Sequence, residues 1–229
     1  MEPSIPLSLG QTLAEGAAVL GVQLDGYQRA RLLAYLKCLI QWNSVYNLSA
    51  IREPRQMLIQ HILDSLAIVP VLASHPISSI LDVGSGGGLP GVVLAVARPN
   101  WHVALNDCVQ KKTAFLTHLK NIVPLPNIRV LPGRVESLPS DFLFSAVISR
   151  AFSSLYKFVS LSRRLVVPGA SIWSMKGVLP EAEISVFEKE ALNGVTIAHV
   201  IKLNVPFLEA ERHLVQIRTS TLERKSTSE

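Results

Sequence analysis

Between Ile80 and Gly91 the sequence reads Ile-Leu-Asp-Val-Gly-Ser-Gly-Gly-Gly-Leu-Pro-Gly, a glycine cluster set between two apolar runs. At a strand-to-helix turn, glycines permit positive φ, let a ligand approach the backbone and leave the first N–H groups of the helix free. As a plain connection, so many glycines would be entropically expensive. The loop therefore points to a nucleotide-like ligand, and two readings fit. Gly86-Gly-Gly88-Leu-Pro-Gly91 matches GxGxxG, the dinucleotide fingerprint. Gly84-Ser-Gly86-Gly-Gly88 matches GxGxG, the loop of S-adenosylmethionine-dependent methyltransferases. Asp82, just before the loop, favours the second, because a carboxylate there attracts the amino group of methionine and repels a pyrophosphate. Asp107 closes the next apolar run and suits ribose hydroxyls in either ligand. No Gly-Lys-Ser/Thr follows, which excludes a P-loop. An NAD-linked oxidoreductase stays the alternative on the loop alone, although no Tyr-x-x-x-Lys pair for hydride chemistry occurs.

Other polar groups could serve the same edge. His61 and Asp64 are three apart on a predicted helix and share one face, either facing a substrate or tying each other down. Arg150 follows an apolar run, where open α/β sheets bind ligands, and suits a methionine carboxylate or an RNA phosphate. Lys176 ends the next run in the same way. Asn47 fits a base edge or a turn cap. Arg52, Arg55, Arg163, Arg164 and Arg212 could engage phosphates, although any one arginine is more often a solvated surface charge, and Trp42 and Tyr46 suit base stacking, with packing in the cap the commoner use of Trp42. Cys38 and Cys108 form neither a disulfide framework nor a CxxC pair, so no metal site is expected.

The elements that must hold these groups fall into two sets. The first predicts as helices, Asp25 to Trp42 and Pro54 to Val69, joined by a polar connector from Asn43. After Pro76 come strands at Ser79 to Val83, Trp101 to Asn106, Ile128 to Leu131, Phe144 to Ser149 and Ser171 to Lys176. Helices at Leu89 to Ala97, Val109 to Asn121, Leu155 to Val167 and Glu181 to Leu192 alternate with them. Two late strands, Thr196 to Leu203 and His213 to Arg218, have no helix between them. This is βαβ repetition with a terminal pair: an α/β fold, Rossmann-like, with a mostly parallel sheet and one antiparallel strand near an edge. We expect an N-terminal helical cap over 1–76, a catalytic domain over 77–218 and a disordered tail over 219–229.

The whole chain has 229 residues, 48% hydrophobic and 17% charged, which suits a globular protein rather than a disordered one. Basic groups exceed acidic ones, 22 against 17, a balance compatible with a nucleic-acid partner and with many metabolic enzymes. The uncharged stretch Ser65 to Leu81 contains Pro70, His75 and Pro76, so no membrane span is expected. The Met-Glu-Pro-Ser start has no basic region before an apolar stretch, so no secretory signal is expected and a cytoplasmic setting is the simplest reading.

Six segments together carry a family resemblance: Trp42-Asn-Ser-Val-Tyr-Asn-Leu-Ser, His61-Ile-Leu-Asp64-Ser-Leu, the loop Gly84 to Gly91, Val147-Ile-Ser-Arg150-Ala-Phe, Lys176-Gly, and Glu211-Arg-His-Leu-Val. In this order, from about Ala30 to Arg218, the chain resembles the glucose-inhibited division protein B family, bacterial methyltransferases of guanine N7 in 16S ribosomal RNA. The resemblance implies a class I methyltransferase fold, S-adenosylmethionine as cofactor, and the decoding region of small-subunit rRNA as partner. It places cofactor contacts at Gly84, Leu89, Val135, Glu136 and Arg150, with Glu136 by the adenine, beside Gly86 and Asp107, which the glycine loop and the strand end themselves put forward. Asp64 and Arg150 become the candidates at the reacting centre, and Asn47, Arg52, His61, Lys176 and Arg212 those facing RNA. One departure is Gln60, where a basic residue is common. Guanine N7 already carries a lone pair, so its methylation needs positioning and no general base. The Asn/Asp-Pro-Pro-aromatic tetrad of exocyclic-amine methyltransferases is absent, in keeping with that chemistry. The purine gains positive charge, which a nearby carboxylate such as Asp64 would stabilise.

Overall fold

The computed structural model describes residues 7–220, apart from 151, 153 and 191. Seven strands, β1 (Ser79–Val83), β2 (His102–Asp107), β3 (Ile128–Pro132), β4 (Phe144–Ser149), β5 (Val166–Lys176), β6 (Val195–Leu203) and β7 (Arg212–Thr219), form one sheet in the order β3-β2-β1-β4-β5-β7-β6. The pairings are parallel from β3 through β5, and β7 runs antiparallel to both β5 and β6. The chain moves outward one way from β1 to β3 and then returns to place β4 on the other flank of β1. That reversal opens a crevice at the carboxyl ends of β1 and β4, where open α/β sheets bind ligands.

Helices α1 (Leu7–Val19), α2 (Gly26–Tyr46), α3 (Pro54–Met57), α4 (Asp64–Leu66), α5 (Val69–Ala73), α6 (Gly91–Ala97) and α7 (Gln110–Ile122) are followed after β4 by α8 (Leu155–Ser162) and α9 (Glu181–Glu190). Side chains alternate across β1, so Ile80 joins one core while Leu81 and Val83 join the other. The first core takes in Leu13, Leu36, Ile62 and Leu66 from the N-terminal helices together with Val93, Phe115 and Trp173. The N-terminal helices thus share their core with one face of the sheet. The second core packs Phe158 and Phe187 against the opposite face.

Asp25 starts α2 through a capping box with Gln28, and Asn47 ends it in the left-handed conformation. The helix therefore runs four residues beyond Trp42. α1 lacks a comparable signal, because its first turn holds no acidic residue. The predicted helix from Pro54 is not regular. It passes from α3 into a π-helical turn at Leu58–Leu63 before α4, and such turns often mark functional sites. Pro54–Ala73 is twenty residues long and apolar enough to cross a membrane on length and composition, but 72% of its most apolar stretch is buried within the protein.

Pro168-Gly169 ends no helix. α8 closes at Ser162, a 3-10 turn follows, and β5 runs through the dipeptide. The pairing skips from Phe144↔Val166 to Ala146↔Ser171, so the extra residues bulge out where proline lacks an N–H and Gly169 has φ +82°. Thr219 belongs to β7 rather than to a tail, and 221–229 lie outside the described residues.

Candidate active site

The glycine loop is built from the strands beneath it. Gly84, Gly86 and Gly88 have φ of +71°, +59° and +91°, a region closed to most side chains. The N–H groups of Gly84 and Ser85 both donate to the Asn106 carbonyl at 2.9 Å, and Gly86 N–H donates to Asp107 Oδ2 at 2.9 Å. Asp107 Oδ1 accepts from Val109 N–H at 2.9 Å, and Lys112 Nζ lies 3.6 Å from Oδ2. The carboxylate that ends β2 thus straps the loop to the start of α7. From the cap, buried Tyr35 donates its hydroxyl to the Gly87 carbonyl at 2.6 Å. Burial pushes that phenol far above its usual range.

Asp82 departs from its sequence expectation. It is wholly buried under the loop, where Oδ2 accepts from Gly91 N–H at 2.9 Å and Oδ1 has no partner. The structure assigns this carboxylate to the loop's own backbone rather than to a ligand's amino group. Burial pushes its carboxyl up to about 7, against the opposing pull of the Gly91 N–H and Ser85.

Arg150 follows β4, whose last residue is tied to β1 by a 2.8 Å bond from Ser149 Oγ to the Val83 carbonyl. Its Nη1 donates to the Gln60 carbonyl at 3.1 Å and to Asp64 Oδ2 at 3.5 Å, and lies 3.3 Å from His61 Nδ1. Arg212 Nε donates to Asp64 Oδ1 at 2.8 Å. Two guanidinium groups therefore share one buried carboxylate. Burial raises its carboxyl above the ordinary value, and the two arginines oppose that rise. His61 and Asp64 do not bond each other; on the π-helical segment and its end, Asp64 pairs with Arg150 while the His61 ring lies beside that guanidinium. Burial and the neighbouring Arg150 push His61 down to about 4, so the ring is neutral. A proton on Nδ1, donated to the Gln60 carbonyl at 3.0 Å, leaves Nε2 to accept from Ser49 Oγ at 2.7 Å.

These buried groups make opposing contributions to stability with pH. Asp82 binds its proton more tightly folded than unfolded, so its contribution is full below about 4 and lost as pH rises through about 7. His61 binds its proton less tightly when folded, so its contribution is lost as pH falls from about 6.5 toward 4. In Asp82→Asn, the Asp82 contribution is gone while that of His61 remains. The melting temperature between pH 4.5 and 6.5 is expected to climb more steeply than in the unsubstituted protein. Parallel melting profiles would contradict the Asp82 assignment.

Two cavities meet at His61 and Arg150. One, of about 230 Å³, is floored by Gly84, Ser85, Gly86 and Gly87 and walled by Leu89 and Ser49. The other, of about 340 Å³, is lined by Ile51, Gln60, Asp64, Lys176, Gly177 and Arg212. Larger hollows, such as the 910 Å³ one beside Ser145 and Trp173, lie away from this edge.

The remaining expected residues are placed more loosely. Asn47 and Arg52 are exposed, outside both cavity walls, and bonded to each other at 2.6 Å. Lys176 lines the second cavity, but its ammonium is taken by Glu183 at 2.7 and 3.0 Å. Val135 is buried and Glu136 exposed on a 3-10 turn after β3, beyond the wall of the first cavity, and both carbonyls accept from Arg164. Ser49 and Glu183 were missed in the sequence. Ser49 meets His61 across twelve positions, from the connector onto the helical segment after it, a separation that carries no periodic signal.

A mostly parallel seven-stranded sheet with β7 running antiparallel between β5 and β6, a glycine loop after β1 and an aspartate ending β2 form the class I methyltransferase architecture. Solved structures agree on the fold. An O-methyltransferase from Bacillus cereus in complex with SAH superposes with a TM-score of 0.58 at 15% identity, covering 92% of this chain and 100% of that one. A SAM-dependent methyltransferase from Aquifex aeolicus gives 0.54 at 17% identity, covering 72% and 93%. The rRNA small subunit methyltransferase G family matches residues 28–215. Ribosomal RNA small subunit methyltransferase G of Burkholderia pseudomallei strain 668 is 53% identical over 215 residues, 92% of this chain and 91% of that one. The protein of the same name from Burkholderia mallei strain NCTC 10229 is 52% identical over 217 residues, 92% of each. The chain belongs to this family, and the oxidoreductase alternative finds no support.

Proposed function

We propose that the protein transfers the methyl group of S-adenosylmethionine to N7 of one guanine in the decoding region of 16S rRNA, working in the cytoplasm. The observation that carries this reading is the pair of cavities joined at Arg150 and His61, one floored by bare backbone and the other rimmed by cationic side chains.

The first cavity fits the cofactor. Gly84 has open space where a Cβ would stand, and its left-handed backbone admits few other residues. Gly84 and Gly86 would hold the cofactor against Leu89, with Val135 and Glu136 at its adenine end and Arg150 at its methionine carboxylate. Asp107 keeps unused lone pairs for ribose hydroxyls beside its two backbone bonds. When bound, the cofactor supplies an electrophilic methyl group. Asp107→Ala removes both the loop strap and the ribose acceptor. It is expected to weaken cofactor affinity by about 1–3 kcal/mol in calorimetric titration, and an unchanged affinity would count against the role.

The second cavity suits the acceptor. Arg212 and Lys176 line it, with Arg52 and Asn47 further out for the RNA backbone. N7 requires its lone pair aligned and no proton removed, in keeping with a neutral His61 and an Asp64 already occupied by two arginines. Asp64 then acts as a positioning residue, fixing Arg150 and Arg212 at the mouth of the cavity. The test uses small ribosomal subunits from cells lacking this protein, radiolabelled S-adenosylmethionine, and chain cleavage at N7-methylguanine. One cleavage in the decoding region is expected. Label without N7 cleavage would place the methyl elsewhere on the RNA.

A further inference from the structure

The loop between β6 and β7 stands at the same edge as the second cavity. β7 runs antiparallel to β5, with His213 opposite Lys176, so residues 204–211 lie beside Lys176, Gly177 and Arg212. Within this loop Leu208 N–H donates to the Val205 carbonyl at 3.2 Å, which closes a four-residue turn. Pro206 holds its second position and Phe207 its third, with φ +66°. Proline followed by positive φ is the pattern of a type II turn, and its third position calls for glycine. A phenylalanine there is strained.

Packing does not explain that strain. Val205 and Pro206 are buried and Leu208 leans on the core, whereas Phe207 remains 46% exposed. A single exposed apolar residue is ordinary, but one held outward by an unfavourable backbone is not. Among the described residues, the only other non-glycine with positive φ is Asn47, a type that tolerates it. The Arg55 guanidinium lies 5.7 Å from the Phe207 ring centroid, within cation–π range, at the start of the segment that carries His61 and Asp64.

We infer that Phe207 is a stacking platform for an unpaired nucleotide of the substrate RNA, with Arg55 beside it to meet that nucleotide's phosphate. This rests on the reading of the protein as an rRNA methyltransferase. An aromatic face accepts any base, so the platform would hold the strand while the second cavity receives the guanine.

The test compares Phe207→Ala, Phe207→Gly and Phe207→Trp for methyl transfer to unmodified small ribosomal subunits, with cofactor affinity and melting temperature measured alongside. Alanine and glycine are expected to raise KM for the subunits about tenfold or more, with kcat and cofactor affinity within a factor of about three. Tryptophan is expected to keep KM at or below its original value. Glycine, which suits the turn, is expected to raise the melting temperature while losing RNA affinity, an outcome that a structural role would reverse. An unchanged KM in the alanine and glycine variants, or tryptophan failing as alanine does, would overturn the proposal while the unsubstituted protein stays active. An unsubstituted protein inactive on subunits would overturn the rRNA reading and the platform together.

Discussion

Replacing Arg150 with alanine is expected to lower kcat/KM for methyl transfer by at least about a hundredfold. Its Nη1 alone joins the Gln60 carbonyl and Asp64 beside the His61 ring, and the side chain walls both cavities. Removing it frees the π-helical segment from the crevice and leaves Asp64 to Arg212 alone. Lysine is not expected to rescue, because its ammonium ends one atom short of the Nη1 position that meets both the Gln60 carbonyl and Asp64. The fold should survive, since the guanidinium is not enclosed in either core. Single-turnover transfer at saturating cofactor, together with a melting curve, separates these effects. Near-normal transfer in Arg150→Ala would remove the residue from the reacting edge.

Gly91→Ala should produce the largest loss of stability. A Cβ at Gly91 would stand 2.3 Å from Leu105 Cδ2 and 2.8 Å from Asp82 Oδ2, both fully buried. The β2 side chain or the Asp82 carboxylate must move, and the Gly91 N–H would then lose its acceptor. Overpacking of this kind costs about 1–3 kcal/mol and a lost bond to a charged group a comparable amount. A total of about 3 kcal/mol corresponds to a melting temperature lower by about 6–12 °C in a chain of this length. A shift of under about 2 °C would mean that the site relaxes more readily than its packing indicates. Cofactor affinity should fall with it, because the loop is anchored through the same bond.

Much of this scaffold was legible in the sequence. β1 and β4 were read to the residue, because short apolar runs bounded by turn residues have little freedom of register. The glycine loop and Asp107 were legible for the same reason, being fixed by a strand on one side and a helix on the other. α1 was not, since Leu7–Val19 is apolar without a capping signal. The π turn was hidden as well, because Ile59, Ile62 and Leu66 satisfy ordinary helical spacing. At the site, charge type and order brought Asp64 and Arg150 forward, but their partners came from distant chain. Arg212 reaches Asp64 across 148 positions, and Glu183 neutralises a lysine that read as free. Phe207 was illegible because its signal is a backbone angle, which composition does not carry.

The shared wall between the two cavities has a thermodynamic consequence. If the two cavities take the roles proposed above, a ligand that drew the Arg150 guanidinium toward the glycine loop would take it from the Gln60 carbonyl and Asp64 and so alter the rim offered to the RNA. Occupancy of one cavity would then bias the other, and reciprocity would require that the RNA change cofactor affinity by the same factor that cofactor changes RNA affinity. The spent cofactor and its methylated product would be released as linked events, governed by a single side chain.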